Sequence, residues 1–488
     1  MSELPNGWAR TTIGDCQGRT SSIDPRKFPD ERFDLYSVPS YTEYRPDSTL
    51  GREIGSTKQE VREGDVLLCK IVPHIRRGWT VSAATKHRQI ASGEWIVFRD
   101  HGLESEYLRR FVLSEGFHEQ FMQTIAGVGG SLTRARPAEA AKIELPVPPL
   151  SEQRRIVAKI DSLTGKSRRA RDHLDHVPRL VKKYKQAILA AAFRGDLTRE
   201  WRENHCPATL SATTVSHERR RLLEKHEQRL KQCENVNVVE TDRPFKLPEG
   251  WGWVRAEAIC GFITKGTTPG SDLMSSSDGE VPFIKVYNLT FDGTLDFTID
   301  PTFVSNVTHK GFLGRSKVLP GDVLMNIVGP PLGKVSVVPS QYAEWNINQA
   351  IAVFRPIPSV LPAFLSRWLL TDVLTRWAVS KSKATAGQSN LTLEICRNLP
   401  VPICSFAEQV EIVRKIDTAM SWVNRLAGDA KSARKLIDHL DQSVLAKAFN
   451  GELVPQDATD EPASALLERI RAERAAAPKA KRGRTKVA

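Results

Sequence analysis

The chain has 488 residues, of which 40% are hydrophobic and 26% charged, a composition that suits a globular protein of two or three domains. Its net charge of +13 and isoelectric point near 9.4 point to a polyanionic partner such as DNA or RNA. No run approaches the roughly 18 apolar residues of a membrane span, and the opening MSELPNGWAR lacks the basic start and apolar core of a signal peptide. The seven cysteines are scattered, odd in number and never in a CxxC pair, so reduced thiols in the cytoplasm are expected rather than a disulfide framework or a zinc site.

In chain order, residues 1–144 read as a compact mixed domain. It opens on LPNGW (Leu4 to Trp8) and carries two β-branched, apolar strand candidates, GDVLLCKI (Gly64 to Ile71) and EWIVFRD (Glu94 to Asp100). A helical pattern follows from Glu104 to Gln123, then a glycine-rich GVGGS loop (Gly127 to Ser131). Residues 145–198 are a proline-rich lead-in and a first long helix. Its apolar residues, from Ile156 through Ile160, Leu163 and Leu174 to Tyr184 and Ile188, step by four and three, which is the coiled-coil pattern. Ser151 to Phe193 would form a rod of about 64 Å, and Pro178 is expected to kink it without ending it.

Residues 199–245 form a charged connector in which His217 to Lys231 is expected as a short exposed helix. The first plan then returns. Residues 246–398 open on LPEGW (Leu247 to Trp251), and GDVLMNIV (Gly321 to Val328) and NQAIAVFRP (Asn348 to Pro356) answer the earlier strands. Residues 399–453 form a second long helix with the same seam, at Ile412, Ile416, Val423, Leu426, Leu440 and Val444. Residues 454–488 are read as a short helix, Pro462 to Arg474, and a basic disordered tail holding Lys479, Lys481, Arg482, Arg484 and Lys486. The chain is therefore two related halves. Their strand frames agree, while the segments between LPxGW and GDVL diverge, as expected for two related tasks on different targets.

Motifs for chemistry are sparse. LTGKS (Leu163 to Ser167) has Ile160 where a phosphate-binding loop needs glycine, and it lies inside the helical seam. VGPPL at Val328 lacks the acid or amide and the aromatic of a base-methyltransferase turn. His173 and His176 stand near one helix face without a third metal ligand. No catalytic residue, metal ligand or cofactor is assigned. Carboxylates are too common for sequence to mark a nuclease metal site, so a self-sufficient DNA enzyme stays open beside a coiled-coil scaffold.

The most distinctive residues are the duplicated blocks. LPVPPLSEQRRIVAKID (Leu145 to Asp161) answers LPVPICSFAEQVEIVRKID (Leu399 to Asp417), and AFRGDL (Ala192 to Leu197) answers AFNGEL (Ala448 to Leu453). With two GDVL-bearing domains, this resembles the specificity subunit of a type I restriction-modification system. The resemblance implies an α+β fold: two mixed α/β target-recognition domains separated by two long antiparallel coiled-coil helices, with an internal pseudo-two-fold repeat. It implies a subunit without catalysis of its own, whose domains each read half of a split DNA site. Its partners would be double-stranded DNA, two modification (methyltransferase) subunits and restriction (endonuclease and ATPase) subunits. Basic and amide residues in the divergent loops suit phosphates, guanine and adenine. The candidates are Lys70, Arg76, Arg77, Arg134 and Arg136 in the first domain, and Lys265, Thr267, Lys285, Asn288, Lys334, Gln388 and Asn390 in the second. Glu152, Gln153, Glu408 and Gln409, expected on exposed helix faces, are candidates for the modification-subunit interface.

Overall fold

A computed structural model describes residues 4–126, 133–205, 210, 212–225, 237–276, 279–329, 331–382 and 390–476. The GVGGS loop, Gln388, the basic tail from Lys479 and the end of the connector helix beyond Lys225 lie outside the described residues. The chain divides into two compact units that do not follow chain order. Unit 1 is Met1–Asp175 with Ala430–Ala488, and unit 2 is His176–Asp429. Each unit thus takes one globular half and a part of both long helical segments.

In unit 1, the strand Ala9–Thr12 pairs antiparallel with Glu144–Val147, so the first and last strands of the globular half meet where the first long helix begins. The GDVL strand, Val66–Cys69, lies between Gly78–Thr80 and Trp95–Phe98, all antiparallel. All four of its residues are buried, as an apolar run covered on both faces must be. The helix Ser105–Val112 lays Tyr107, Leu108, Phe111 and Val112 on this sheet. The divergent segment forms a separate five-stranded mixed sheet, with Arg32–Tyr36 parallel to Arg88–Ala91.

Unit 2 repeats the frame. Gly252–Arg255 pairs antiparallel with Pro400–Ile403, and the GDVL strand Val323–Asn326 lies between Val335–Val337 and Ile351–Pro356. The register is the same in both units: Val66 faces Phe98 and Val323 faces Phe354. The divergent segment differs again, as a four-stranded sheet built around Val281–Ile284 and Trp345–Ile347.

A buried ion pair locks each frame. Asp65 meets Arg99 at 2.5 Å and Asp322 meets Arg355 at 2.7 Å, with none of the four side chains more than 10% exposed. These are the acid of GDVL and the arginine of VFR in each half. Burying either charge alone would cost several kcal/mol, about 3–5 on breaking such a pair, so the two motifs come as a set.

The first long helix is corrected by the structure. It forms two helices, Leu150–Asp175 and Val177–Phe193, separated at His176. Pro178 therefore stands in the first turn of a new helix, where its missing N–H leaves no bond unmade. The second helix, Phe406–Phe449, is unbroken over 44 residues. The apolar seam is followed along both segments. Ile156, Ile160 and Val444 enter the unit 1 core and Ile412 and Ile416 the unit 2 core, and Ser167 and Val423 are buried further along the segments. Of the seam positions only Tyr184, Leu426 and Leu440 are exposed, at 62%, 45% and 57%. Within unit 1 the helices are also joined by charge: Arg171 reaches Asp438 and Asp441, and Arg434 reaches Asp175. The partners descend in one helix as they rise in the other, so within the unit the segments run antiparallel.

The connector helix, Ala212–Lys225, is exposed at most of its described positions, as expected, but one face is docked. It buries Val215 and Leu223, packs Leu222 on Gly261 and donates from Arg219 to the Cys260 carbonyl. Its counterpart, Ala463–Ala476, buries Leu466, Leu467 and Ile470 in unit 1, and Arg474 donates to the carbonyls of Asp15 and Asp100. In both helices a few apolar residues on one face and an arginine donating to backbone carbonyls of the globular domain dock an otherwise largely exposed segment.

Candidate nucleic-acid interface

The duplicated motifs converge at one junction in each unit. In unit 1, Trp8 of LPNGW donates its indole N–H to Glu152 at 3.1 Å. In unit 2, Trp251 of LPEGW donates to Glu408 at 2.9 Å. The neighbouring glutamines stitch the long helix to the domain helix. Gln153 accepts from the Glu104 N–H at 2.8 Å and donates to the Pro148 carbonyl at 2.9 Å. Gln409 accepts from the Leu361 N–H at 2.8 Å and donates to the carbonyls of Ser359 and Cys404, each at 3.1 Å. Glu104 and Leu361 cap the domain helices that follow them, so each glutamine amide occupies a helix start.

The AFxG blocks close the same junctions from the opposite helix. Phe193 packs edge-on against Phe364 and Trp368 in unit 2, and Phe449 against Tyr107 and Phe111 in unit 1. The helix-ending glycines take left-handed backbone, at φ +79° for Gly195 and +77° for Gly451, as helix stops commonly do. A Cβ there would lie 2.4 Å from Pro248 and 2.3 Å from Pro5, the prolines of the two LPxGW blocks.

This geometry corrects the expected partner surface. Glu152, Gln153, Glu408 and Gln409 are at most 1% exposed and face inward. Their side chains satisfy indole and backbone groups that burial would otherwise leave unpaired, so they do not form an outer docking face. The two junctions differ in one respect. Glu408 also accepts from Thr198 Oγ1 at 2.8 Å and Arg202 Nε at 3.2 Å. Among the described residues Glu152 has no arginine bonded to it: its Oε1 meets no hydrogen bond of ordinary geometry, and burial pushes its carboxyl above the ordinary range although the side chains of Trp8 and Gln456 favour the charged form.

The basic candidates of the first domain gather around one hairpin loop, residues 70–77, between Val66–Cys69 and Gly78–Thr80. The Ala135 N–H donates to the Lys70 carbonyl at 2.9 Å, the Val72 N–H donates to the Thr133 carbonyl at 3.0 Å, and Ile71 bridges Arg134. Lys70, Arg76, Arg77 and Arg134 are thereby brought together. Arg134 forks onto Glu94 at 2.9 and 3.1 Å, which holds that carboxyl below its usual range. Arg76 reaches Glu115 at 2.5 Å. Arg136 is exposed at the start of the short helix Pro137–Ala140. Ile75, which sequence reasoning passed over, is 44% exposed on this loop; its signal was an isolated apolar residue in PHIRRG.

The second domain's candidates do not form one cluster. Lys285 and Lys334 share a surface: Lys285 sits over the Tyr287 ring and 3.5 Å from Asp300, and Lys334 donates to the Val286 carbonyl and faces the Phe291 ring. Phe291 is 57% exposed and was also passed over. Lys265 is exposed at a strand end, and Thr267 is half-buried with its N–H on the Ile347 carbonyl. Asn390 instead lines a cleft of about 690 Å³ with Asp242, Arg255, Trp377 and Lys381. Asn288 is corrected as a base reader. It is fully buried, accepts from the Lys285 N–H and donates to the carbonyls of Asp296 and Ile299, which leaves its amide nothing to offer DNA.

Among the described residues no cluster of three or more His, Cys, Asp or Glu is arranged to hold a metal ion, and no helix is long and apolar enough to cross a membrane. Burial pushes the thiols of Cys16 and Cys396 up to about 12, so neither supplies a thiolate near neutral pH.

One buried frame built twice, carrying two unlike sets of loops, defines a duplicated recognition scaffold. Residues 248–428 match the model of the type I restriction modification DNA specificity domain. The chain is 31% identical over 355 residues to the EcoBI specificity subunit of Escherichia coli, covering 70% of this chain and 67% of that one. It is 28% identical to the EcoDI specificity subunit of the same species, over 74% and 75% of the two chains. The chain belongs to the family of type I restriction enzyme specificity subunits. Its fold is also that of solved relatives at 22% identity. A chain from a structure of type I R-M assembly and conformational transition gives a TM-score of 0.66 over 93% of this chain and 100% of that chain. The HsdS subunit of Thermoanaerobacter tengcongensis gives 0.55 over 92% and 98%.

Proposed function

We propose that this chain reads a bipartite DNA sequence for a type I restriction-modification complex. Residues 1–144 recognise one half of the site and residues 246–398 the other, while the long helices, as an antiparallel coiled-coil spacer, set the unread gap. The observation that carries this reading is the repetition of the Trp–Glu and Gln contacts of the junction and of the Asp–Arg frame around segments that differ in strand order and loop chemistry. A scaffold built twice with interchangeable inserts suits two related readings of one polymer. The charge of +13 suits phosphate neutralisation, which makes affinity fall steeply with salt.

The chain has no reaction of its own in this proposal. It binds double-stranded DNA in the cytoplasm, docks two modification subunits on equivalent surfaces of its two units, and directs restriction subunits through that complex. Equivalent surfaces on one chain suit two copies of one partner. Methylated sites would be mapped in cells carrying this chain with its modification subunits, and in cells lacking it. A split motif that appears only with the chain, and of which one half changes when residues 1–144 are exchanged, supports the proposal. Methylation indifferent to loss of the chain overturns it.

A further inference from the structure

We infer that Ile75, on the hairpin loop of the first domain, reads a thymine through its 5-methyl group in the major groove. The inference rests on the DNA-recognition reading above and names the base feature that one loop contacts.

The loop is held in a conformation its sequence resists. Val72 has φ +50°, a left-handed backbone that a β-branched residue rarely adopts. The equivalent position in unit 2, offset by the same 257 residues as Asp65 and Asp322, is Gly329 at φ +86°. Both hairpins therefore need this turn, and only the second uses the residue that makes it without strain. The strained form in unit 1 is clamped from both sides. The Val72 N–H donates to Thr133, the Ala135 N–H to Lys70, the Lys70 N–H to Glu94, and the Ile75 N–H back to Val72, each bond at 2.9–3.0 Å. Local strain that the surroundings hold in place is a mark of preorganised sites.

The clamp presents Ile75. Its side chain is 44% exposed and joins none of the hydrophobic clusters, so the fold itself does not use it. Arg76 and Arg77 follow it directly and Lys70 and Arg134 lie on the same clamped backbone, with Arg76 paired to Glu115 and Arg134 to Glu94. Cations of that kind serve phosphates, but a branched alkyl group among them needs an apolar target. The major groove admits a two-stranded ribbon, and the apolar group displayed on base edges there is the thymine methyl. The second domain differs at this point: Leu332, the counterpart of Ile75, is half-buried against the unit 2 core. The methyl-reading element thus belongs to the first domain.

The test uses the full chain assembled with its modification subunits, and DNA bearing the mapped site. Each thymine is replaced singly by deoxyuridine, which removes only the methyl. One replacement in the half-site assigned to residues 1–144 should weaken wild-type binding about tenfold, within the range of a single-base discrimination. Ile75→Ala should bind native DNA about tenfold more weakly and lose no more on that replacement, whereas Ile75→Val should retain part of the sensitivity. The inference is overturned if Ile75→Ala remains as sensitive as wild type at every thymine, if that half-site holds only G·C pairs, or if Ile75→Ala blocks assembly with the modification subunits. An exchange of residues 1–144 that leaves the motif unchanged would instead bring down the parent proposal.

Discussion

The two junction glutamates offer a comparison in which the same substitution should have opposite consequences. Glu408 is 1% exposed and accepts from Thr198 Oγ1, Arg202 Nε and Trp251 Nε1. Glu408→Gln keeps the shape but turns one acceptor into a donor facing donors, and leaves the Arg202 guanidinium, itself 16% exposed, without its counter-charge. A charge-assisted bond is worth about 1.5–3 kcal/mol, and breaking a buried pair costs about 3–5. Since Arg202 keeps its bond to the Gly195 carbonyl, a loss of about 2–4 kcal/mol in unit 2 is expected. Glu152→Gln removes a buried charge that no arginine among the described residues bonds and that burial disfavours even with Trp8 and Gln456 beside it, and its remaining oxygen still accepts from Trp8. It should be neutral or stabilising at neutral pH. The pH dependence follows from the raised Glu152 carboxyl. The folded unit binds that proton more tightly than the unfolded chain, so stability is fullest below the ordinary glutamate range and falls as pH rises through the raised value. Glu152→Gln should abolish that fall. Hydrogen exchange resolves the two units: segments 196–203 and 406–416 should lose protection in Glu408→Gln, while 150–160 holds or gains in Glu152→Gln. Equal losses in both variants would refute the reasoning.

Asp322→Ala leaves Arg355 buried beside no carboxylate, and should cost about 3–5 kcal/mol in chemical unfolding; Asp65→Ala should cost a similar amount through Arg99. Gly195→Ala puts a Cβ at φ +79° and 2.4 Å from Pro248, for an expected loss of about 1–3 kcal/mol that differential scanning calorimetry would register. Inserting one heptad after Leu174, inside the helix Leu150–Asp175, should lengthen the unread gap of the methylated motif and leave both halves intact; an unchanged gap in site mapping rejects the spacer role.

The resemblance was readable because its carriers are local: LPVP, EQ, KID, AFxG and GDVL are short strings that recur in a fixed order, and LPxGW and VFR recur with them. What each string does was not readable, because each completes a contact with another string far along the chain. GDVL and VFR are two ends of one ion pair 33–34 residues apart, and the tryptophan of LPxGW meets the glutamate 144 or 157 residues later. Glu152 and Gln153 look like surface residues from helical spacing alone, since polarity normally marks the solvent face. Asn288 looks like an adenine reader for the same reason. In both cases the buried donors and acceptors that claim the side chain come from other segments.

Sequence by itself determined that the chain is duplicated, which segments form the GDVL and VFR strands and the long helices, and to which family the pattern points, because these follow from local periodicity and from strings repeated in order. Only the tertiary structure decided that each compact unit draws its helices from both halves, that the first long segment breaks at His176 while the second runs unbroken, and that the basic residues of the first domain share one clamped loop while those of the second are dispersed. The physical reason is that burial and hydrogen-bond satisfaction are settled between residues distant in the chain, where neither periodicity nor composition carries the information.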